Sequence, residues 1–167
     1  MELSKYNIQI AGFMQDVGNF SDLMKKINEI SNDCTIQLLN SDGIAGREHI
    51  LHATVHAIKS FKRDENIAND LGLEICVRAS AQRQISKALD ILGLKKGEMN
   101  ICAVFVGCNN DSMSKLDVLL DKRDNNVLKP DINVLKNIYK ISDDEIETAG
   151  SIENVMIERT SLLILET

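Results

Sequence analysis

The three histidines of the chain, His49, His52 and His56, are followed at helical spacing by Lys59 and Arg63. At about 100° per residue, a helix over 47–63 places all five side chains on one stripe, away from an apolar arc. Imidazole, ammonium and guanidinium groups in that arrangement could contact the phosphates of a nucleic acid. Two other interpretations stay open: a solvated polar face without a ligand, and a metal site formed by the histidines. The neighbouring cations oppose a divalent ion, so the pattern favours phosphate over metal.

A second basic segment runs from residue 75 to residue 89, where Arg78, Arg83 and Lys87 occur without any Asp or Glu. We predict that Ser80 opens a helix with Arg83 in its first turn, where the helix dipole disfavours a cation. A bound anion would offset that cost, although Arg83 could instead pair with an acidic residue elsewhere. The candidate anion-contacting residues of both segments are His49, His52, His56, Lys59, Arg63, Arg78, Ser80, Gln82, Arg83, Gln84 and Lys87.

The overall charge restricts what these segments can do. The chain has 167 residues, a net charge of -6 and an isoelectric point near 5.1. Any nucleic-acid contact must therefore be a local patch that overcomes repulsion from the rest of the surface. Because the sequence shows no signal peptide and no apolar run of the roughly 18 to 20 residues that would cross a bilayer, we expect a soluble, cytoplasmic protein.

Four cysteines, Cys34, Cys76, Cys102 and Cys108, could form two disulfides. None belongs to a C-x-x-C pair, and three lie in apolar, strand-like segments. We therefore expect buried free thiols, which pack as small hydrophobic groups.

Short apolar runs alternate with amphipathic runs along the first two thirds of the chain. Strands are predicted at 8–13, 35–39, 74–79 and 100–106, and helices lie between them. After Gly107 the pattern is helical only, with a capping box that starts at Ser142. We predict an α/β fold in which 1–167 form a single domain: a mixed sheet of about four strands, packed helices and a helical C-terminal third.

The C-terminal segment has more apolar residues than one helix face can bury. Part of it could dock a partner protein. An alternative is that 161–166 form a last strand of the sheet. The candidate partner-binding residues are Val155, Met156, Leu162 and Leu163.

Three stretches resemble a known family. They are Arg47-Glu-His-Ile-Leu-His-Ala, Asn66-Ile-Ala-Asn, and the run from Glu74 through Arg-Ala-Ser-Ala-Gln-Arg-Gln to Leu89, with a looser match in the tail from Ile157. They resemble archaeal members of the smallest-subunit family of the KEOPS complex, over about 35–107 in detail. Segment 108–150 matches only in being helical. Eukaryotic relatives have an Asn-rich segment where this chain has 81–84, which favours the archaeal type.

The resemblance implies a protein that is not an enzyme on its own and needs no cofactor. Family members bind the small kinase (ATPase) subunit of KEOPS. The KEOPS assembly installs threonylcarbamoyl on the adenosine that follows the tRNA anticodon. Archaeal-type members also hold the tRNA 3′ CCA end. With 4% aromatic residues and no Trp, base stacking would fall to His52, His56 or Arg78. The alternative function is a small metal-dependent hydrolase that uses the histidine cluster.

Overall fold

A four-stranded antiparallel sheet with the strand order β2-β3-β1-β4 lies at the centre of the molecule. The structure, a computed structural model, describes residues 6–120 and 122–165, and side chains as far as residue 163. The strands are β1 (Ile8–Val17), β2 (Thr35–Asn40), β3 (Gly97–Val106) and β4 (Lys122–Arg123). The α/β class is confirmed, but every described strand pairing is antiparallel where we expected a mixed sheet.

Eight α-helices surround this sheet in the described part of the chain, and the C-terminal third is helical apart from β4, as predicted. Ser142 forms the predicted capping box with Glu145, and Gly150 ends that helix in the left-handed conformation. The helices are α1 (Phe20–Ile30), α2 (Arg47–Lys62), α3 (Leu71–Ser80), α4 (Ile85–Leu92), α5 (Asn110–Leu119), α6 (Ile132–Tyr139), α7 (Asp143–Ala149) and α8 (Ile152–Leu165).

The segment 74–79, predicted as a strand, is the C-terminal part of α3. Asp70 caps this helix by accepting a hydrogen bond from the backbone N–H of Leu73 at 2.8 Å. The prediction was wrong because α3 is buried on nearly all sides, and periodicity does not distinguish a short buried helix from a buried strand. Ser80 accordingly ends α3 and does not open the next helix, whose N-cap is Gln84.

The two faces of the sheet pack against different helices. Ile10, Cys102 and Val104 face a core shared with α2, α3, α4 and the end of α8. Phe13 and Phe105 face a smaller core shared with α1 and α5. The long, polar-striped helix α2 packs between α3 and α8 on the Ile10 side of the sheet, which fixes the orientation of its histidines.

The cysteine prediction was half wrong. Cys76 and Cys102 are buried free thiols, and burial raises the pKa of each to about 12. Cys34 and Cys108, however, form a disulfide across 74 residues. The register that pairs Thr35 with Val106 brings the two cysteines together at the same end of the sheet, a proximity that their sequence spacing does not reveal.

None of the helices in the described residues is both long enough and apolar enough to span a membrane.

Candidate nucleic-acid interface

The first histidine of the stripe is part of the core. His49 has no solvent exposure. Its Nδ1 atom accepts a hydrogen bond from the backbone N–H of Ala45 at 2.9 Å, and its Nε2 atom lies 2.8 Å from the carbonyl of Ala79. These partners require a neutral ring with the proton on Nε2. Burial lowers the pKa of His49 to about 4, consistent with that neutral form.

Local backbone geometry fixes this position of His49. Gly46 precedes α2 with φ of +123°, a conformation open mainly to glycine, and a side chain there would collide with Glu153. The Glu153 carboxylate accepts hydrogen bonds from the backbone N–H groups of Glu48 and His49 at 3.0 and 3.3 Å. A carboxylate from α8 thus caps the first turn of α2 and stabilises its positive end.

His49 was a candidate RNA contact, and that prediction is corrected because its ring is enclosed and both nitrogens are engaged. The same contacts contradict the metal-dependent alternative, since His49 cannot offer a ligand atom alongside His52 and His56. Within residues 6–120 and 122–165, no group of three or more His, Cys, Asp or Glu side chains could hold a metal ion.

His52 and His56 are half-buried and adjacent, with ring centroids 4.3 Å apart and planes tilted by 50°. The His52 Nε2 atom lies 2.9 Å from the Ser161 hydroxyl, which itself donates to the carbonyl of Ile157. The hydroxyl proton is thereby used, so Nε2 of His52 is the donor. Burial, followed by the nearby positive charge of Lys59, lowers the pKa of His52.

A small basic pocket of about 110 Å³ opens beside His56. Burial is the main reason that the pKa of His56 falls to about 4, and His52, Lys59, Arg78 and Arg63 add to it through their positive charge. The same potential that opposes a proton on His56 favours an anion. The side chains that line the pocket are His56, Lys59, Ser60, Arg63, Glu65 and Arg78.

Arg78 is the most enclosed cation of this pocket, with only 2% of its surface exposed. Its Nε atom donates to Glu74 at 2.7 Å and its second guanidinium nitrogen to the carbonyl of Glu65 at 3.3 Å. Glu74 also accepts from the backbone N–H groups of Ile67 and Ala68, at 2.8 and 2.7 Å. Arg78 is therefore held at the pocket wall with its charge offset by Glu74, and its burial removes it as a platform for base stacking.

Residues 80–87 separate into buried and exposed positions. Ser80 is fully buried and donates to the carbonyl of Val77, so its predicted contact with an anion is corrected. Arg83 is not in a first helical turn: it is exposed in the α3–α4 connection and donates to the carbonyl of Leu163 at 3.4 Å. The other candidates remain accessible, with Gln82 half-buried and Gln84 and Lys87 exposed.

The two basic segments meet at the end of α8. His52 contacts Ser161 and Arg83 contacts the carbonyl of Leu163, two residues further on. The accessible part of the candidate surface, which we call the cationic surface, therefore spans three elements. Its members are His52, His56, Lys59, Arg63, Gln82, Arg83, Gln84 and Lys87.

Most of the candidate partner-binding residues are core residues. Val155 and Met156 pack with Ala45, Leu135 and Tyr139, and Leu163 joins the core beneath α2. Each is at most 3% exposed, which contradicts their assignment to an outer docking surface. Leu162 alone of the four is exposed, at 53%. Residues 161–165 continue α8, and the rest of the alternative strand, 166, lies outside the described residues.

Sequence reasoning missed the residues that support the pocket. Glu74 was assigned to a strand and Ser161 to an apolar segment, although they position Arg78 and His52. Glu74 four residues before Arg78 is a helical ion-pair spacing, and it would have been a usable signal had α3 been recognised as a helix.

The fold and this surface define an α/β protein with one central antiparallel sheet and a cationic pocket between its longest helix and α3. The chain belongs to the kinase binding protein CGI-121 family, whose model matches residues 14–163. It is 31% identical over 145 residues to the regulatory protein Cgi121 of Methanocaldococcus jannaschii, covering 83% of this chain and 90% of that protein. It is 33% identical over 72 residues to the KEOPS complex subunit Cgi121 of Pyrococcus abyssi, covering 43% of this chain and 41% of that one. The resemblance seen in the sequence is thereby confirmed.

Proposed function

We propose that this protein is a non-catalytic subunit of an archaeal KEOPS complex that binds the small kinase/ATPase subunit and recruits tRNA by its 3′ CCA end. The tRNA would then be modified to threonylcarbamoyladenosine next to the anticodon, in the cytoplasm. Family membership supports the kinase contact, since the family is described as kinase binding. The name of the Pyrococcus abyssi relative supports membership of the complex.

The observation that carries the RNA part of the proposal is the basic pocket in an acidic protein. Lys59, Arg63 and Arg78 line a concavity of about 110 Å³, while the chain as a whole carries a net charge of -6. A phosphate placed there meets Lys59 and Arg63, while Glu74 offsets the charge of Arg78; elsewhere the net field is repulsive. The local charge therefore favours one short stretch of RNA over extended contact with a duplex.

The half-buried histidines support binding of a single-stranded end. Bases of unpaired RNA are held by stacking on flat side chains as well as through phosphates. His52 and His56 provide adjacent ring planes next to the pocket. Arg83, Gln82 and Gln84 add donors near the end of α8 that could read base edges.

The deciding experiment compares intact tRNA with the same tRNA lacking CCA, at one salt concentration. We expect the truncated tRNA to lose specific binding to the purified protein. Equal affinities for the two RNAs would contradict recognition of the 3′ end. The kinase contact is tested separately by co-purification with the KEOPS kinase subunit of the same organism; failure of the two proteins to associate would contradict that part of the proposal.

A further inference from the structure

A second and larger concave surface lies where β1 ends and β3 begins. Its volume is about 720 Å³, within the range of about 300–1,000 Å³ found for small-molecule sites. The register pairs Met14 with Asn100 and Asp16 with Glu98, so these four residues share one face of the sheet. Further along the same strands this face is covered by helices, but Met14, Asp16 and Glu98 are exposed.

Charges of both signs line this groove without forming ion pairs with one another. Among the described residues, no ion pair of 4.0 Å or less joins any two of them. Lys95 donates instead to the backbone carbonyl of Asp90, at 3.2 Å. A ligand that carries both an anionic group and hydrogen-bond donors could contact the lysines through the first and the carboxylates through the second. The charged residues are Lys95, Lys96, Lys122, Asp16, Asp42 and Glu98.

The acidic side of the groove contains an unfavourable pair. Asp16 and Glu98 stand directly opposite each other on adjacent antiparallel strands. Like charges in that position destabilise a sheet, since the Cβ atoms of such a pair are about 4.5–5.5 Å apart. Two neighbouring carboxylates can, however, accept hydrogen bonds from two adjacent hydroxyl groups. The pair is thus unfavourable for the empty sheet and suited to a vicinal diol.

Asn40 borders the groove, but it pairs with Ile101, and its side chain therefore lies on the Phe13 face of the sheet, opposite to Met14, Asp16 and Glu98. The residue is only 7% exposed. Its Oδ1 atom accepts from the backbone N–H of Asp42 at 3.1 Å, which orients the amide. In the part of the chain that the structure describes, no hydrogen bond from its Nδ2 atom is found, and that atom is not sealed from solvent. The lysine ammonium groups, and not this amide, are therefore the donors that can hold a phosphate oxygen in the groove.

We infer that this groove binds a ribonucleoside 5′-phosphate. The phosphate lies against the ammonium groups of Lys95, Lys96 and Lys122. The 2′ and 3′ hydroxyls donate to Asp16 and Glu98, as an acidic side chain does for the ribose in dinucleotide-binding folds. The exposed thioether of Met14, in the same row as Asp16, packs against the base.

The charge balance favours a free nucleotide over an internal stretch of RNA. Three carboxylates offset three lysines, so a polyphosphate backbone gains little from the groove. An internal nucleotide also has no free 3′ hydroxyl. The same diol does occur at the 3′ terminus of an RNA, and the experiment separates the two sources.

The test titrates the full-length protein with AMP, 2′-deoxy-AMP and inorganic phosphate, following backbone amide resonances and binding heat. We expect AMP to shift the amides of Met14, Asp16, Glu98 and Asn100, and to bind about tenfold more tightly than 2′-deoxy-AMP, since one hydrogen bond to a charged group is lost. Equal affinities for AMP and 2′-deoxy-AMP, or no shift at these amides, would overturn the inference.

Variants separate binding from folding. Asp16→Asn should weaken AMP binding about tenfold while leaving the unfolding temperature unchanged or higher, because it relieves the repulsion with Glu98. A purely structural Asp16 would instead give a lower unfolding temperature and unchanged AMP affinity. Lys122→Gln should weaken both AMP and phosphate, whereas Lys25→Gln, an exposed lysine of α1, should affect neither.

A final experiment distinguishes a free nucleotide from an RNA 3′ end as the ligand of the groove. It also separates a failure of this inference from a failure of the proposed tRNA function. A short RNA with a 3′-terminal diol, but not its 3′-phosphorylated form, should displace AMP if an RNA end supplies the nucleotide; if neither RNA displaces AMP, the free nucleotide is the ligand. Arg63→Gln lies in the other pocket and should leave AMP binding intact. Loss of tRNA binding in that variant therefore says nothing against the groove, and loss of AMP binding in Asp16→Asn says nothing against the tRNA site.

Discussion

Glu74 and Arg78 form a buried ion pair one helical turn apart on α3, with 2.7 Å between Oε2 and Nε. Neither side chain is more than 2% exposed. Removal of one partner leaves the other as an unpaired buried charge, which typically costs about 3–5 kcal/mol. We therefore expect Glu74→Leu to lower the free energy of unfolding by that amount, measured by urea denaturation.

The matched control for this pair is the double variant Glu74→Leu with Arg78→Leu, in which no charge is stranded. It should be more stable than Glu74→Leu alone. If the double variant is as unstable as the sum of the two single variants, the residues are not energetically coupled.

The cationic surface should bind RNA in a salt-dependent way to which Arg63 contributes directly. Arg63 is exposed at the end of α2 and lines the pocket. Arg63→Ala should reduce the slope of log affinity for tRNA against log salt by about 0.7, the value expected when one contact to single-stranded phosphate is lost. Lys25→Ala on α1 is the control and should leave the slope unchanged. An unaltered slope in Arg63→Ala would remove this residue from the interface.

The buried His49 predicts a loss of stability in acid. Its folded pKa is about 4, below the ordinary value of 6.5, so the unfolded chain binds a proton more readily at pH values between them. Its contribution is complete above about pH 6.5 and decreases as the pH falls towards 4, by about 3 kcal/mol in total. His49→Asn should flatten the pH dependence of unfolding over this window, whereas a slope equal to that of the parent protein would assign the effect to other groups.

These residues also show how much of the fold and of the candidate site could be predicted from the sequence. The helix α2 and three of the four strands were predictable, because their apolar periodicity or runs are long and are bounded by turn residues. Burial around α2 was not predictable: His49 and His52 differ by three positions, yet one is enclosed by α3 and the other faces the end of α8. Which side of a polar stripe a later helix covers depends on tertiary packing, which local spacing does not encode. The family motif contains most residues of the cationic surface, but it does not indicate that the side chains of Ser80 and Arg78 are buried.

The Cys34–Cys108 disulfide should stabilise the end of the sheet at which it lies. Closure of a loop of 74 residues lowers the entropy of the unfolded chain enough to contribute about 4 kcal/mol in the chain-entropy model. Cys34→Ser with Cys108→Ser should unfold at lower urea concentration than the oxidised protein and should match the protein treated with a reductant. Identical midpoints for the oxidised and reduced protein would contradict a stabilising crosslink.

Substitutions of Leu162 and Leu163, which are adjacent on α8, should have opposite effects on stability and partner binding. Leu162 is 53% exposed and Leu163 is 3% exposed. Leu162→Asp should keep the unfolding temperature and weaken association with the proposed kinase partner, because the apolar face of a helix can dock into a hydrophobic groove of a partner. Leu163→Asp should instead unfold the protein by burying a charge. Full kinase binding by a folded Leu162→Asp variant would place the docking surface elsewhere.

The strand order has a consequence for how the chain is made on the ribosome. β1 pairs with β3 and β4, and β2 pairs with β3, so no two described strands can pair before residues 97–106 have been synthesised. Until then β1 and β2 emerge as apolar segments without a hydrogen-bonded neighbour, a situation that exposes nascent chains to misassociation. Once β3 leaves the exit tunnel, β1 and β2 can both form hydrogen bonds with it. Folding should therefore be delayed and abrupt, and nascent chains stalled before residue 97 should remain open to protease while those stalled well after β3 become resistant.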